Sequence, residues 1–189
     1  MKKIINEAIL EHKKALRLLG ENVKVIEKIA SLFINTLRQK GKIIFIGNGG
    51  SAADAQHLAA ELVGRFKKNR RALASISLAT NTSTLTAIAN DFGYDQVFSR
   101  QIQALAGRKD LIVAISTSGN SKNILEAIRT AKKLKLKTVG FSGNSKTTPL
   151  ARLTDICLTI PLTDTPSIQE IHILAGHIIC AIAEKHFKK

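Results

Sequence analysis

Lys42-Ile43-Ile44-Phe45-Ile46-Gly47-Asn48-Gly49-Gly50-Ser51-Ala52-Ala53-Asp54-Ala55-Gln56-His57 passes from a short apolar run, through a cluster of glycines, into a helix-forming segment. Gly41, after Lys40, is a natural stop for the helix before it, and Lys42–Ile46 is predicted to be a short buried strand. The next helix is predicted to begin near Ala52, and Ser51 with Asp54 matches a side-chain capping arrangement. The glycines between them admit two readings. They make a tight turn with its N-cap, or they let backbone amides and a helix N-terminus approach an oxygen-rich ligand. The spacing lacks the third glycine of a dinucleotide fingerprint and the Gly-Lys-Ser ending of a P-loop, so neither motif is present.

Outward from this segment the same alternation repeats. Further strands are predicted near Leu73–Ser77 and at Leu111–Ile115, Thr138–Phe141 and Ile156–Ile160, with helical stretches between them. Their apolar runs are continuous rather than alternating, the pattern of parallel strands covered on both faces. The fold class is therefore α/β, a three-layer doubly wound fold around a five-stranded parallel sheet. Two helical segments precede it; in the second, Val23, Ile26, Ala30, Phe33, Ile34 and Leu37 recur at three- and four-residue steps and form one apolar face. The last helix, from about Ser167 to His186, is apolar on several faces through Ile168, Ile171, Ile173, Leu174, Ile178, Ile179 and Ile182. It is expected to be buried, with a subunit interface as one place for it. Ligands of such sheets bind beyond the carboxyl ends of the strands, which singles out the loops after Ile46 and Ile115.

With 189 residues and no repeat, linker or low-complexity segment, the chain is expected to form one domain over 1–189. Its hydrophobic share of 44% and charged share of 23% argue against disorder or a fibrous repeat. No apolar stretch approaches the ~18–20 residues that span a bilayer, and Met1-Lys2-Lys3-Ile4 opens a charged helix rather than a signal core. A soluble, unprocessed, cytoplasmic protein is expected. Cys157 and Cys180 sit in an apolar strand and an apolar helix, where cysteine acts as a small hydrophobe, so neither a disulfide nor a thiolate metal site is expected. The net charge of +15 invites an anionic partner. Yet the cations are spread over Lys13-Lys14, Arg65–Arg71, Arg129–Lys137 and Lys188-Lys189 with little aromatic interleaving, and they read as a solvated basic surface. Nucleic acid is not expected as a partner, nor is a membrane.

Ser116-Thr117-Ser118-Gly119-Asn120-Ser121 follows the third strand and leads into a helix over Asn123–Lys135. Hydroxyls and amides at a helix N-terminus suit a phosphate dianion, although an ordinary hydroxyl-rich loop reads the same way. His57 and Glu61, four residues apart, project from one helix face, as two metal ligands, an acid and base, or a surface ion pair. In the last helix Gln169, Glu170, His172 and His177 are polar groups in an apolar segment, and buried polar groups need partners, whether a metal, a substrate or a neighbouring helix. His172 and His177 point about 140° apart at 3.6 residues per turn, whereas Gln169 and His177 differ by about 80°. One site is thus expected to take Gln169 and His177 but not both histidines. Asn90-Asp91 closes the helix after the second strand, as a helix terminus or a further polar pair.

Five segments together resemble the sugar isomerase (SIS) domain family, and within it the phosphoheptose isomerases. They are residues 47–57, Glu61-Leu62-Val63-Gly64-Arg65-Phe66, Ala87-Ile88-Ala89-Asn90-Asp91, Ser116–Ser121 and Ile168-Gln169-Glu170-Ile171-His172. The resemblance covers essentially the whole chain and implies conversion of sedoheptulose 7-phosphate to D-glycero-D-manno-heptose 7-phosphate, towards the heptose of bacterial surface polysaccharide. By the same resemblance Ser116, Thr117, Ser118 and Ser121 hold the phosphate. Asn48, Gly49, Gly50, Ser51, Asn90 and Asp91 line the sugar, with Glu61 and Gln169. His57, Glu61, Gln169 and His177 would bind one zinc ion, an N/O set that suits that metal. Glu61 is the candidate base and His177 the candidate acid, and a metal-bound Glu61 is the poorer base, so its two roles would alternate. Homotetramers with active sites near subunit interfaces are implied, the helical pair in 1–40 serving subunit packing. The sequence departs from the family pattern at Ser167, Asn81 and Asn144-Ser145-Lys146, which bears on substrate preference and loop order. Relatives of this fold also include non-catalytic modules that assist replication initiation or sense sugar phosphates, the alternative function.

Overall fold

The computed structural model describes residues 1–143, Ser145 and residues 147–187. Asn144, Lys146 and the Lys188-Lys189 tail lie outside the described residues. The elements run α1 (Lys2–Gly20), α2 (Val23–Arg38), β1 (Ile43–Gly47), α3 (Gly49–Val63), β2 (Ser75–Ser77), α4 (Thr82–Phe92) and α5 (Ser99–Leu105). They continue with β3 (Leu111–Ser116), α6 (Lys122–Lys133), β4 (Lys137–Gly143), α7 (Pro149–Leu153), β5 (Ile156–Ile160) and α8 (Thr165–Phe187). Strand order is β2-β1-β3-β4-β5, with every pairing parallel. Alternate residues of the central strands serve two cores. Ile43, Phe45, Val113, Ile115 and Phe141 face α1, α2, α3 and α8, while Ile44, Ile46, Ile112 and Ala114 face the layer of α5, α6 and α7. The three-layer α/β expectation holds.

Three boundary shifts have a clear physical cause, beside shifts of one or two residues at the ends of α6 and α8. The second strand is only Ser75–Ser77, because Leu73 gives its N–H to the Leu62 carbonyl at 3.0 Å instead of extending the ladder. Its fully buried side chain mimics a strand signal from a loop. The fourth strand runs on to Gly143, pairing Ser142 and Gly143 with Thr159 and Ile160, residues too small or polar to announce a buried strand. α3 starts at Gly49, three residues before the expected Ala52, so Ser51 and Asp54 lie inside it and the expected side-chain cap does not form. The glycines make this early start possible. Gly49 has φ +52°, the left-handed region that glycine enters freely, and a Cβ on Gly47 would lie 2.4 Å from the Ser51 carbonyl oxygen.

α8 corrects one expectation. By length and composition alone, with a mean hydropathy of 1.2, it is apolar enough to cross a membrane. Half of its most apolar stretch is buried, however, against α1, α2 and α3, so it packs as a core helix of this fold, with Ile178 and Ile182 left on its open side. Asn81, one of the departing positions, caps α4 by accepting the Thr84 N–H at 3.0 Å, a task that an aspartate oxygen performs equally.

Candidate active site

β1 lies between β2 and β3, so the chain leaves β1 in one direction and returns on its other side. Such a switch point opens a crevice beyond the carboxyl ends of the two strands. The loops flanking it are the glycine turn and the hydroxyl loop. They are tied together by Asn48 and Asn123, whose amides exchange hydrogen bonds of 2.9 and 2.8 Å, and Tyr94 donates its hydroxyl proton to Asn48 Oδ1 at 3.2 Å. Asn123 was not foreseen; a buried asparagine in the first turn of an otherwise apolar-faced helix was its available signal. In the hydroxyl loop Ser116 Oγ lies 3.2 Å from Ser121 Oγ and 3.5 Å from Ser118 Oγ. Ser121 is the N-cap of α6, yet its side chain makes no capping bond. The Ile124 amide is taken by Asn123 Oδ1 at 3.0 Å, which leaves the Ser121 hydroxyl and the earlier amides of α6 for an anion. Gly119, at φ +61°, packs where a Cβ would strike Ser142 Oγ and Thr148, so the loop rests on the end of β4.

Further along, α3 and α8 run side by side in one direction. Gln169 meets Gly50 and Asp54, Gly176 meets Leu58, and Glu184 meets the segment after α3. Gly176 sets the spacing, since a Cβ there would lie 2.5 Å from Leu58 Cδ1. Next to this contact His57 Nε2 and His177 Nε2 stand 2.8 Å apart, and His57 Nε2 is 3.3 Å from Glu61 Oε1. Ligand atoms of His57, Glu61 and His177 all lie within 4.8 Å of one another. The Phe66 ring stacks on the His177 imidazole at 5.3 Å. Burial pushes the His177 pKa down, as do His57 and Lys67, against the pull of Glu61.

The remaining candidates make other contacts. The Gln169 amide donates to Asp54 Oδ1 at 3.2 Å and covers Gly50, a turn before His57 on α3. Asp54 was read only as a cap; it is a buried carboxylate whose Oδ2 has no partner among the described residues. Burial pushes its pKa up, against the Gln169 hydrogen bond and His57. Asn90 and Asp91 are exposed at the end of α4 and bond to each other at 2.8 Å. Ser51 is buried in the first turn of α3. His172 faces away from His177, as its angle implied: it is fully buried, 3.2 Å from the Ser142 carbonyl and edge-on to Phe141.

A doubly wound sheet with a hydroxyl loop at its switch point, and a His/Glu cluster where α3 meets α8, is the arrangement of a SIS-domain protein. The SIS domain family model matches residues 11–143. A phosphoheptose isomerase of Helicobacter pylori (strain P12) is 50% identical over 187 residues, covering 97% of this chain and 96% of its own. The solved phosphoheptose isomerase of Neisseria gonorrhoeae is 38% identical with a TM-score of 0.89, over 97% of this chain and 98% of that one. That of Francisella tularensis is 31% identical with a TM-score of 0.91, over 97% of each chain. The chain belongs to the phosphoheptose isomerases of the SIS domain family.

Proposed function

We propose that the protein converts sedoheptulose 7-phosphate to D-glycero-D-manno-heptose 7-phosphate by aldose–ketose isomerisation in bacterial surface-polysaccharide heptose synthesis. The observation that carries this reading is the convergence of His57, Glu61 and His177, in a member of this family, on a fold whose switch point holds a hydroxyl loop. Moving the carbonyl from C2 to C1 takes a proton from C1, places one on the C2 oxygen to give an enediol, then delivers a proton to C2 while the C1 oxygen loses its own. Glu61 is the group that accepts the carbon-bound proton. His177, whose burial favours its neutral form, exchanges the oxygen-bound proton. Ser116, Thr117, Ser118 and Ser121 hold the phosphate, and Asn48, Gly49, Gly50, Ser51, Asn90 and Asp91 line the sugar.

The donor set fits a zinc ion: two imidazole nitrogens 2.8 Å apart share one proton when no cation lies between them, and Glu61 adds an oxygen. Gln169 is the fourth candidate ligand, from the turn beside Asp54. Such an ion would stabilise negative charge developing on the substrate oxygens. The protein is proposed to act as one SIS domain in the cytoplasm, where Cys157 and Cys180 stay free, and as a homotetramer packed through the helices of 1–40 with active sites near the interfaces. An isomerase assay with sedoheptulose 7-phosphate, with and without chelator, tests the reading. Turnover that the chelator abolishes supports it; no aldose from the untreated, zinc-supplied protein overturns it.

A further inference from the structure

Residues 65–71 carry five cations, Arg65, Lys67, Lys68, Arg70 and Arg71, which composition alone presents as solvated surface. Arg70 is not solvated. Its side chain is 1% exposed and its Nε lies 3.7 Å from Glu184 Oε1, on a side chain 3% exposed. Burying both charges is costly unless their hydrogen bonds are met and their geometry is used. Here the hydrogen bonds are met at the Glu184 carboxylate and at both terminal nitrogens of Arg70, while the buried Arg70 Nε has only the 3.7 Å ion-pair contact and no hydrogen-bond partner among the described residues. Glu184 accepts the backbone N–H groups of Phe66, Lys67 and Lys68, each at 2.9 Å. Arg70 donates to the carbonyls of Glu61 at 2.7 Å, Gly64 at 3.1 Å and Arg71 at 3.0 Å, serving the end of α3, where helix carbonyls lack partners.

The two ends of this assembly touch the candidate active site. Arg70 is bonded to the backbone of Glu61 itself. Glu184, seven residues after His177 and about 20° from it around α8, fixes Phe66, whose ring lies on the His177 imidazole with an interplanar angle of 27°. We propose that Arg70 and Glu184 form a buried clamp that sets the position of Glu61 relative to His177, with Phe66 transmitting it to the imidazole. All three are positioning residues. Lysine at position 70 keeps the charge but loses the fork that reaches Glu61 and Gly64 together.

The kinetic test rests on the isomerase reading above. Glu184→Gln, Arg70→Lys and Phe66→Leu are each expected to lower kcat about tenfold or more, as loss of a ligand's outer support does. KM for sedoheptulose 7-phosphate should stay within about twofold, because the hydroxyl loop is built from β3 and α6 and is untouched. A pair that merely held a loop would lower the melting temperature and leave kcat per folded molecule unchanged, and that result overturns the clamp. If Glu184→Gln fails to fold, Phe66→Leu decides, since it leaves the ion pair in place: wild-type kcat overturns the proposal. If the wild type itself does not isomerise, the isomerase reading falls and the clamp is judged by Co(II) affinity. A loss of about tenfold or more in Phe66→Leu and Arg70→Lys then supports it, and unchanged affinity overturns it.

Discussion

Glu61 has one oxygen beside His57 and its backbone carbonyl under Arg70, so its carboxylate is placed by contacts at both ends of the residue. Glu61→Gln fills the same space but cannot accept a proton, so turnover should vanish while the metal-free protein keeps its melting temperature. Isomerisation retained by this variant would move the base elsewhere. His172 gives the pH prediction. Burial lowers its pKa to about 4, with the Ser142 carbonyl pulling the other way. The unfolded chain, with an ordinary histidine pKa of about 6.5, takes up the proton first as pH falls. His172 should therefore support full stability above about pH 6.5 and lose on the order of 3 kcal/mol between there and pH 4. Denaturant midpoints against pH should show this slope, and His172→Gln, which cannot titrate, should flatten it. An unchanged slope in that variant refutes the assignment. The separation of His172 from His177 was legible from helical angles alone. Asp54, Arg70 and Glu184 were not, because each has its partner more than a hundred residues away and a charged side chain in sequence looks like solvated surface.

The elements that matter most are α3 and α8, and the sequence shows them as two helices with polar groups, not as neighbours. Their closeness comes from Gly176, which sits beside His177 and takes Leu58, the neighbour of His57, against its bare backbone. Gly176→Ala should force these helices apart, costing about 1–3 kcal/mol as overpacking does, and should cut kcat by separating the two imidazoles. Shortening the obstacle in Gly176→Ala/Leu58→Ala should restore part of kcat even though the cavity lowers stability further. Kinetics and melting of the three proteins check this; a single variant with normal kcat would show that the spacing is not set there. At the switch point, removing hydroxyls from a charged ligand weakens it by about 1.5–3 kcal/mol per bond. Ser118→Ala/Ser121→Ala should accordingly raise KM for the heptulose phosphate at least tenfold with kcat less affected. An unchanged KM would place the phosphate elsewhere. The parallel sheet was legible because strands buried on both faces read as unbroken apolar runs. Strand ends at Leu73 and Gly143 were not: Leu73 is buried without joining the ladder, while Ser142 and Gly143 join it without apolar side chains to mark them.

At the scale of the whole molecule, α1 is the unexplained part of this protomer. Only Ala15 and Leu19 of its residues are buried, while Ile5, Ile9 and Leu16 are 57%, 49% and 47% exposed. These three fall within about 40° of one another around the helix, so they make a stripe rather than scattered exceptions. Beside it, Leu16, Val23, Ile178 and Ile182 line a shallow apolar concavity of about 330 Å³ with Leu19 and Ile26. A helix with so little burial of its own gains stability chiefly from packing, and the proposed tetramer supplies a second copy to pack against. Each side chain of the stripe contributes about 1.5–3 kcal/mol when fully covered. Ile5→Lys/Ile9→Lys removes two such contributions per chain and sets like charges opposite each other across a symmetric contact. The double variant should therefore elute as a smaller species in light scattering at micromolar concentration, with α1 newly open to proteolysis. Its sheet core should still melt cooperatively, because neither residue belongs to the buried core. Turnover should fall with the assembly if active sites lie near the interfaces. Wild type that scatters as a monomer, or a double variant that keeps the wild-type mass, would remove α1 from the interface.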